Sequence, residues 1–230
     1  MDHVNIGIPM ESPRPDPSPA NKRRYGGVLP EERQRQRRAK LIEGALAVFG
    51  TKGFHATTVR EVCVAAHLTE RYFYESFKTL PQLYLATYET LREELMRLTL
   101  AALSQAEPTP LGLLEPAMRV FLEFIRDDPR RGRIMLVDSL AVNDEVAAVS
   151  GATARDYSNM LRSHLTQLVP DLKRDDISLD LLAEGMIGLN VLLAARWMQD
   201  GFAEPIDKVV ATNLLPYRGL FVLAGAPRRA

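Results

Sequence analysis

Apolar residues recur every three or four positions along most of this chain, which is the spacing of one buried face of an α-helix. Beyond residue 80, stretches with this period cover 81–106, 111–127, 130–140, 144–169, 178–200 and 205–224. Proline, glycine and aspartate residues separate these stretches. No stretch alternates like a β-strand, and no Asn-Gly or Asp-Gly turn joins two β-branched runs. The pattern therefore predicts an all-α fold.

Residues 1–29 lack this period. They contain prolines that alternate with small and polar residues, at Pro9, Pro13, Pro15, Pro17 and Pro19. Such a composition is typical of an extended, disordered chain. We predict a disordered tail that ends in a basic segment, Lys22–Arg24. Two roles for this segment stay open: an arm that reaches DNA, and a tail without a binding role.

A longer helix is predicted from Pro30 onward. The acidic pair Glu31 and Glu32 suits the positive N-terminus of a helix that starts with proline. A basic stretch follows, and then an apolar stripe that consists of Leu41, Ile42, Ala45, Val48 and Phe49. Gly50 and Gly53 are expected to end this helix, and Gly53 is the better candidate for a backbone with positive φ.

Two short helices are predicted between residues 57 and 77. Thr58 and Glu61 fit a capping box at the start of the first helix, and its apolar stripe is Val59, Val62, Cys63 and Ala66. His67 belongs to a residue type that tolerates positive φ, so it is expected in the turn. Thr69 is expected to cap the second helix. Helix, tight turn and helix is the arrangement in which the second helix enters the major groove of DNA.

The outer surface of the second helix carries the candidate DNA contacts. If Phe73 and Phe77 anchor this helix on the core, the residues left outside are Glu70, Arg71, Tyr72 and Tyr74. Arg71 suits a guanine, because a guanidinium donates two hydrogen bonds to that base, which is worth about 1–3 kcal/mol of discrimination. Phosphate contacts are predicted for Thr57, Thr58, Thr69, Tyr74 and Lys78. On spacing alone, two packed helices with exposed aromatic side chains remain the alternative.

The charge is unevenly distributed. Lys plus Arg and Asp plus Glu each total 29, so the net charge is zero. Residues 20–80 nevertheless hold twelve basic and six acidic residues, so this region has an excess of six positive charges and the rest of the chain an equal negative excess. A basic unit joined to an acidic helical body is typical of a protein that binds nucleic acid with one end. A solvated helix face is the alternative.

The stretch 39–77 resembles the N-terminal domain of TetR-family transcriptional regulators. The matching features are the Ile42/Ala45/Phe49 stripe, Gly53-Phe54, Thr57-Thr58-Val59, Val62, Ala66, Leu68-Thr69, Tyr74 and Phe77. The resemblance implies a homodimeric repressor with a three-helix DNA-binding head on a helical body that binds a small-molecule effector. Effector binding would move the two heads away from the spacing of a palindromic operator. Carried over residue by residue, the resemblance implies phosphate contacts from Thr58 and Tyr74 and base contacts from Arg71 and Tyr72.

Three positions depart from the family's pattern. His67 stands where glycine is frequent, Arg71 stands where a small residue or proline is frequent, and Leu80 replaces a lysine that usually binds phosphate. Lys78 is two residues away and is expected to compensate. The loss of one phosphate contact affects DNA affinity and lowers the salt slope by about one unit, while the fold is unaffected.

The body is predicted to contain a dimer interface and an effector pocket. The interface residues, on the last two predicted helices, are Gly185, Gly188, Leu192, Leu214, Leu215 and Phe221. An apolar pocket is predicted from Met118, Phe121, Met135, Met160, Met186, Asn190 and Trp197. For both sets the alternative is an ordinary core within one chain. Asn190 shares a helical stripe with Met186 and Trp197, so its polar group needs a partner, either a ligand or a neighbouring side chain.

Several classes of protein are excluded by the sequence. Cys63 is the single cysteine, so neither a disulfide framework within the chain nor a Cys-rich zinc site is expected. Its place in an apolar stripe predicts a buried thiol rather than a nucleophile. The chain contains no Gly-rich phosphate loop, Gly-x-Ser-x-Gly or His-Glu-x-x-His motif, so we predict no enzyme, cofactor or metal. No apolar run approaches the roughly 18 residues of a membrane span, which predicts a cytoplasmic protein without a membrane partner.

Taken together, the sequence predicts three parts: a tail over 1–29, a helix-turn-helix DNA-binding domain over 30–80, and a helical ligand-binding and dimerisation domain over 81–230. The predicted function is that of a ligand-released, dimeric repressor that binds double-stranded DNA. The alternative is a helical ligand-binding or interaction module without specific DNA binding.

Overall fold

The computed structural model describes residues 29–168, 172 and 176–225. These residues form helices and connecting loops and contain no strand, which confirms the predicted all-α fold. The helices are α1 (Pro30–Lys52), α2 (Val59–Ala65), α3 (Glu70–Ser76), α4 (Leu80–Leu103), α5 (Pro110–Asp127), α6 (Pro129–Gly132), α7 (Asp144–Leu168), α8 (Leu179–Gln199) and α9 (Ile206–Gly225). The predictions for the 1–28 part of the tail, including its basic segment, lie outside the described residues.

Between α6 and α7 the chain forms a π-helical segment, Arg133–Asp138, that continues directly from α6. Such wider turns are rare in proteins, but where they occur they often lie at functional sites. They displace side chains from the regular helical positions. The sequence pattern predicted one regular helix over 130–140, and it contains no signal for the wider turn.

The ends of α1 to α3 follow the local sequence. Thr58 and Glu61 form the predicted capping box, and His67 adopts a φ of 55° in the turn. Gly53 ends α1 with a φ of 84°, a region that favours glycine. Two expectations were wrong: Gly50 lies inside α1, and Thr69 occupies the N-cap of α3 without a side-chain capping hydrogen bond.

The first core cluster joins the three N-terminal helices to the body. Its N-terminal part includes Leu41, Phe49, Val62, Cys63, Phe73 and Phe77, all buried. The same cluster continues into α4, through Tyr84 and Leu95, and into the π-helical segment, through Ile134 and Met135. The N-terminal helices therefore share one continuous core with the base of the body.

A second core cluster lies between α5, α7, α8 and α9. It includes Met118, Leu122, Leu161, Leu165, Met186, Trp197, Leu214 and Tyr217. Phe121 and Leu136 pack against both clusters, so they connect the core below the N-terminal helices with the core of the body.

Helix α8 is apolar on more than one side. By length and composition it is the one helix among the described residues that could cross a membrane. The prediction that no apolar run approaches the length of a membrane span was therefore wrong. One stripe of α8 is nevertheless packed into the protein, at Ala183, Met186, Asn190, Ala194 and Trp197. Core helices of globular proteins also pass this test, and the buried stripe is the part of α8 that packs into the second core cluster.

Candidate DNA-binding surface and internal cavity

Helix α3 presents an exposed polar surface beside a buried aromatic anchor. Phe73 and Phe77 are buried against α1 and α2, with their ring centroids 6.1 Å apart. Glu70, Arg71 and Tyr74 are exposed, as the four-residue spacing of the anchor predicts. The face that is free to enter a groove is therefore the face that the sequence indicated.

Arg71 and Tyr72 differ in how freely they can move. The Arg71 Nε donates to Glu75 Oε1 at 3.1 Å, but the guanidinium is highly exposed, and exposed pairs of this kind contribute about 1 kcal/mol or less. Tyr72 is half-buried, and the Arg37 guanidinium lies 4.5 Å from its ring centroid. Arg71 is therefore the more available of the two for base contacts.

The threonine contacts need one correction. Thr57 is buried and its hydroxyl donates to the Gly53 carbonyl at 2.7 Å, so it holds the loop after α1 and does not face a phosphate. Thr58 is exposed, although its hydroxyl is engaged in the capping box. Thr69 and Lys78 are exposed. Leu80, at the position of the missing lysine, packs against the core.

The capping box also carries a charged contact. The Lys52 ammonium pairs with the Glu61 carboxylate and lowers its pKa, and hydrogen bonds from Thr58 lower it further. Because Glu61 is exposed, this contact adds little to the stability of α2. It links the last turn of α1 to the first turn of α2.

A cavity of about 520 Å³ lies inside the body. Its wall is formed by α4, α5, α7, α8, α9 and the π-helical segment. The lining residues extend along α4 from Tyr88 to Leu103, which is about 22 Å at 1.5 Å per residue. The volume is within the usual range of small-molecule sites, and the long lining indicates an elongated shape.

The described part of the cavity wall contains no Asp, Glu, Lys or Arg. Several of its polar groups already have partners: Thr153 donates to the Val149 carbonyl at 3.0 Å, and the His164 Nε2 lies 3.1 Å from the Pro110 carbonyl oxygen. Burial raises the pKa of Tyr157, with a smaller opposing effect from Thr99, so its hydroxyl stays neutral. The cavity thus suits an uncharged, largely apolar molecule.

Five of the predicted pocket residues line the cavity: Met118, Phe121, Met135, Met160 and Asn190. Met186 and Trp197 do not. Met186 belongs to the second core cluster, and the Trp197 indole donates to the Glu204 carbonyl at 2.9 Å while its ring packs edge-on against Phe202. Both residues share a helix with Asn190, but Met186 is packed in the core and Trp197 contacts the loop that follows α8.

Of the cavity lining on α7, the sequence interpretation included only Met160. This helix lines the cavity with a stripe of mixed character: Ser150, Thr153, Tyr157, Met160, His164 and Gln167. The steps of three and four residues place this stripe on one helix face. Hydroxyl and imidazole groups that recur on an otherwise apolar face were the signal available in the sequence.

The π-helical segment contacts both the cavity and the N-terminal helices. Met135 and Leu136 line the cavity. On the other side, the Arg133 Nη1 donates to the Thr51 carbonyl at 2.9 Å, and the Phe54 backbone N–H donates to Asp138 Oδ2 at 3.2 Å. A shift of this segment would therefore move the end of α1 and the loop that follows it.

The predicted dimer residues divide into two groups. Gly185, Gly188, Leu192 and Leu215 are exposed on α8 and α9, and a Cβ added to either glycine would meet no atom within 4 Å. Leu214 is buried in the core of its own chain, and Phe221 is half-buried against the same core. Assigning Leu214 to the interface was wrong, because it lies on the side of α9 that packs into the core of its own chain. The assignment of Phe221 stays a prediction.

Additional exposed apolar residues extend this surface. Leu181 precedes Gly185 on the same stripe of α8, and Val222 lies two turns after Leu215 on α9. Together with Leu192, these large side chains are between 66% and 72% exposed. We call the surface formed by Leu181, Gly185, Gly188, Leu192, Leu215 and Val222 the α8–α9 face.

Comparison with known proteins relates both the sequence and the fold to transcriptional regulators. Residues 41–87 match the model of bacterial regulatory proteins of the tetR family. Over 201 residues the chain is 27% identical to the HTH-type transcriptional activator FasR of Mycolicibacterium smegmatis, with 85% of each protein covered.

Two solved structures have a similar fold. The fatty acid degradation regulator FadR from Bacillus halodurans superposes with a TM-score of 0.69 at 13% identity, covering 84% of this chain and 97% of that one. The transcriptional regulator FadR from Bacillus subtilis, solved in complex with stearoyl-CoA, gives a TM-score of 0.66 at 14% identity, covering 83% and 99% of the two chains. At these identities the similarity concerns the fold.

Proposed function

We propose that this chain binds an inverted repeat as a homodimer and leaves it when an aliphatic effector fills the cavity. The chain belongs to the TetR family of bacterial regulatory proteins and is a DNA-binding, ligand-responsive transcriptional regulator. The observation that carries this proposal is the uncharged cavity beside a segment that contacts the N-terminal helices. The exposed face of α3 supplies the DNA contacts, and the α8–α9 face supplies the contact with a second copy.

We assign distinct roles to the exposed residues of the DNA-binding domain. Arg71 reads a base, because it is the exposed residue of α3 whose side chain donates two parallel hydrogen bonds. Tyr74, Thr69 and Lys78 contact phosphates and set the position of the helix in the groove. The α3 helices of the two copies would occupy successive major grooves, so the binding site repeats after about one helical turn of DNA.

Selection of bound sequences from random duplex DNA tests this assignment. Wild-type protein is expected to enrich an inverted repeat, and Arg71→Ala is expected to relax the preference at one position per half-site with a loss of about 1–3 kcal/mol. Lys78→Ala is the matched control, since the loss of a phosphate contact weakens binding to all sequences and lowers the salt slope by about one unit. An unchanged base preference in Arg71→Ala would remove Arg71 from base recognition.

The effector class follows from the cavity wall. An uncharged, elongated and mostly apolar cavity suits a hydrocarbon chain, and burial of each methylene group contributes about 0.8 kcal/mol. The exposed lining residues, Ala154, Ser163 and Gln167, all lie on α7, so we place the opening there. The B. subtilis neighbour was solved with stearoyl-CoA. In this chain the acyl chain would occupy the cavity while the charged carrier stays outside α7.

The coupling to DNA is proposed to pass through the π-helical segment. A chain that fills the cavity presses on Met135 and Leu136, and Arg133 and Asp138 of the same segment hold the end of α1 and the following loop. Because an effector shifts an equilibrium only by its differential affinity for the two states, the segment must differ between the DNA-bound and the effector-bound form. Allosteric coupling of this kind usually amounts to about 1–3 kcal/mol.

Release of the selected DNA by stearoyl-CoA, followed by fluorescence anisotropy, tests both the effector class and the coupling. Stearoyl-CoA is expected to weaken DNA binding by about 5- to 150-fold, and CoA alone is expected to have no effect. Asp138→Ala is expected to retain DNA binding but to reduce this ratio by about two- to tenfold. The hydrogen bond from Phe54, worth about 0.5–1.5 kcal/mol, is lost together with the ion pair to Arg133.

Asp156→Ala is the control for the coupling, since its carboxylate pairs with Arg92 at 3.7 Å and so links α7 to α4 within the body. It is expected to keep the full ratio. An undiminished ratio in Asp138→Ala would contradict the role of the segment, and DNA binding that is insensitive to stearoyl-CoA would contradict the effector class.

We propose that the protein represses transcription, acts in the cytoplasm and catalyses no reaction. Repression follows when the operator overlaps a promoter that the dimer blocks until the effector arrives. The M. smegmatis relative is named an activator, so activation is the alternative output.

A further inference from the structure

One polar pair in the cavity wall has unused hydrogen-bonding capacity. The Asn190 Nδ2 donates to the Tyr217 hydroxyl at 2.7 Å, and both side chains are buried, with 7% and 1% exposed. The Asn190 Oδ1 is buried without a hydrogen-bond partner among the described residues. Because the Tyr217 oxygen accepts from Asn190, its own proton is also left over. Both residues line the cavity.

The unused groups are one acceptor and one donor, side by side. The opposite orientation of the amide leads to the same result, since the Asn190 amide would then keep its donors and the Tyr217 oxygen its acceptor. Burial raises the pKa of Tyr217, with a smaller opposing effect from the bond to Asn190, so the hydroxyl keeps its proton. Buried polar atoms without a partner are unusual in native proteins and call for an explanation.

The chemistry of a molecule that satisfies both groups is narrow. A charged group is excluded, because no charged side chain lines the described wall and an unpaired charge would lose its hydration without compensation. An ether or ester oxygen accepts a hydrogen bond from the Tyr217 hydroxyl, but it has no hydrogen to donate, so the Asn190 Oδ1 stays unpaired. A hydroxyl accepts from one partner and donates to the other through a single atom.

We propose that Asn190 and Tyr217 bind a hydroxyl group carried by the effector, so that a hydroxylated aliphatic chain binds in the cavity more tightly than a plain hydrocarbon chain. This proposal rests on the proposed function of the cavity as the site of an aliphatic effector. In this proposal the two residues determine specificity. The hydrocarbon chain supplies most of the affinity, and the pair selects chains whose hydroxyl group lies next to Asn190 on α8 and Tyr217 on α9.

The test compares two isomeric probes, decyl alcohol and methyl nonyl ether, by isothermal titration calorimetry with the full chain. Both contain the same atoms and both accept a hydrogen bond, but only the alcohol donates one. Wild-type protein is expected to bind the alcohol at least about fivefold more tightly, since the ether leaves one buried acceptor unpaired. In Asn190→Leu the preference is expected to disappear, because both probes then use only the Tyr217 proton.

Thr153→Val is the matched control. Its hydroxyl also lies in the wall but already donates within α7, so the variant is expected to keep the preference of the wild type. If Asn190→Leu does not fold, Asn190→Val replaces it, and the wild-type ratio is informative by itself. Equal binding of the two probes by wild-type protein, or a preference that survives in Asn190→Leu, overturns the proposal. Either result leaves the cavity as the binding site of an aliphatic effector. If neither probe binds to protein that still binds its DNA, the proposal that the cavity binds an aliphatic effector is contradicted as well.

Discussion

A chain that carries both Leu192→Glu and Leu215→Glu is expected to be a monomer and to lose specific DNA binding. Both leucines are 66% exposed on the α8–α9 face, and a carboxylate in a buried helix interface has no partner there. A monomer contacts only one half-site, so its affinity should fall to the level of non-specific binding, about 10³-fold or more below that of the dimer. Sedimentation and DNA titration measure the two effects.

Leu140→Glu is the control for this experiment. Leu140 is also highly exposed, at 70%, but it lies in the loop after the π-helical segment and not on the α8–α9 face. This variant should remain a dimer and bind DNA like the wild type. A double variant on α8 and α9 that still sediments as a dimer would show that the two copies meet elsewhere.

Phe73→Ala is expected to unfold the DNA-binding helices while the body stays folded. Phe73 is fully buried between α1, α2 and α3, and the truncation of a buried phenylalanine costs about 3–5 kcal/mol. The two short helices, α2 and α3, bury few other large side chains that could replace this contact. Hydrogen exchange resolved by peptide should therefore show lost protection over α1 to α3 and retained protection over α7 and α8, together with the loss of DNA binding.

Tyr74→Ala provides the comparison one residue away. Tyr74 is 60% exposed, and its ring contacts the Phe73 ring edge-on, with the ring centroids 5.1 Å apart. Its removal therefore leaves the buried anchor in place and costs only this ring contact and a phosphate contact. Wild-type protection over α1 to α3 is expected in this variant. Equal loss of protection in both variants would indicate that α3 is unstable for a reason other than the Phe73 anchor.

The DNA-binding helices were predictable because short-range chemistry determines them. The capping box of Thr58 and Glu61 and the positive φ of His67 depend on neighbours within a few residues. The buried position of Phe73 and Phe77 follows from their spacing on one helix face. The prediction for Thr57 failed because its partner, the Gly53 carbonyl, is supplied by the turn of the loop and not by a pattern of residue types.

The all-α fold, the bounds of the long helices and the exposed face of α3 were thus determined by the sequence alone. Helical periodicity shows which residues are buried, but it does not show what buries them. For that reason Leu214 and Leu215, adjacent and chemically identical, were assigned together, whereas the structure buries the first in its own core and exposes the second.

Only the tertiary structure decided where the cavity lies and what it contacts. A cavity exists where side chains of several helices do not meet, so the sequence of any single helix cannot predict it. The same holds for the Asn190–Tyr217 pair, whose partners are 27 residues apart, and for Asp138, which accepts from Phe54 across 84 residues. The sequence determined the elements of this regulator, and the packing between those elements decided which residues bind the effector and which connect it to the DNA.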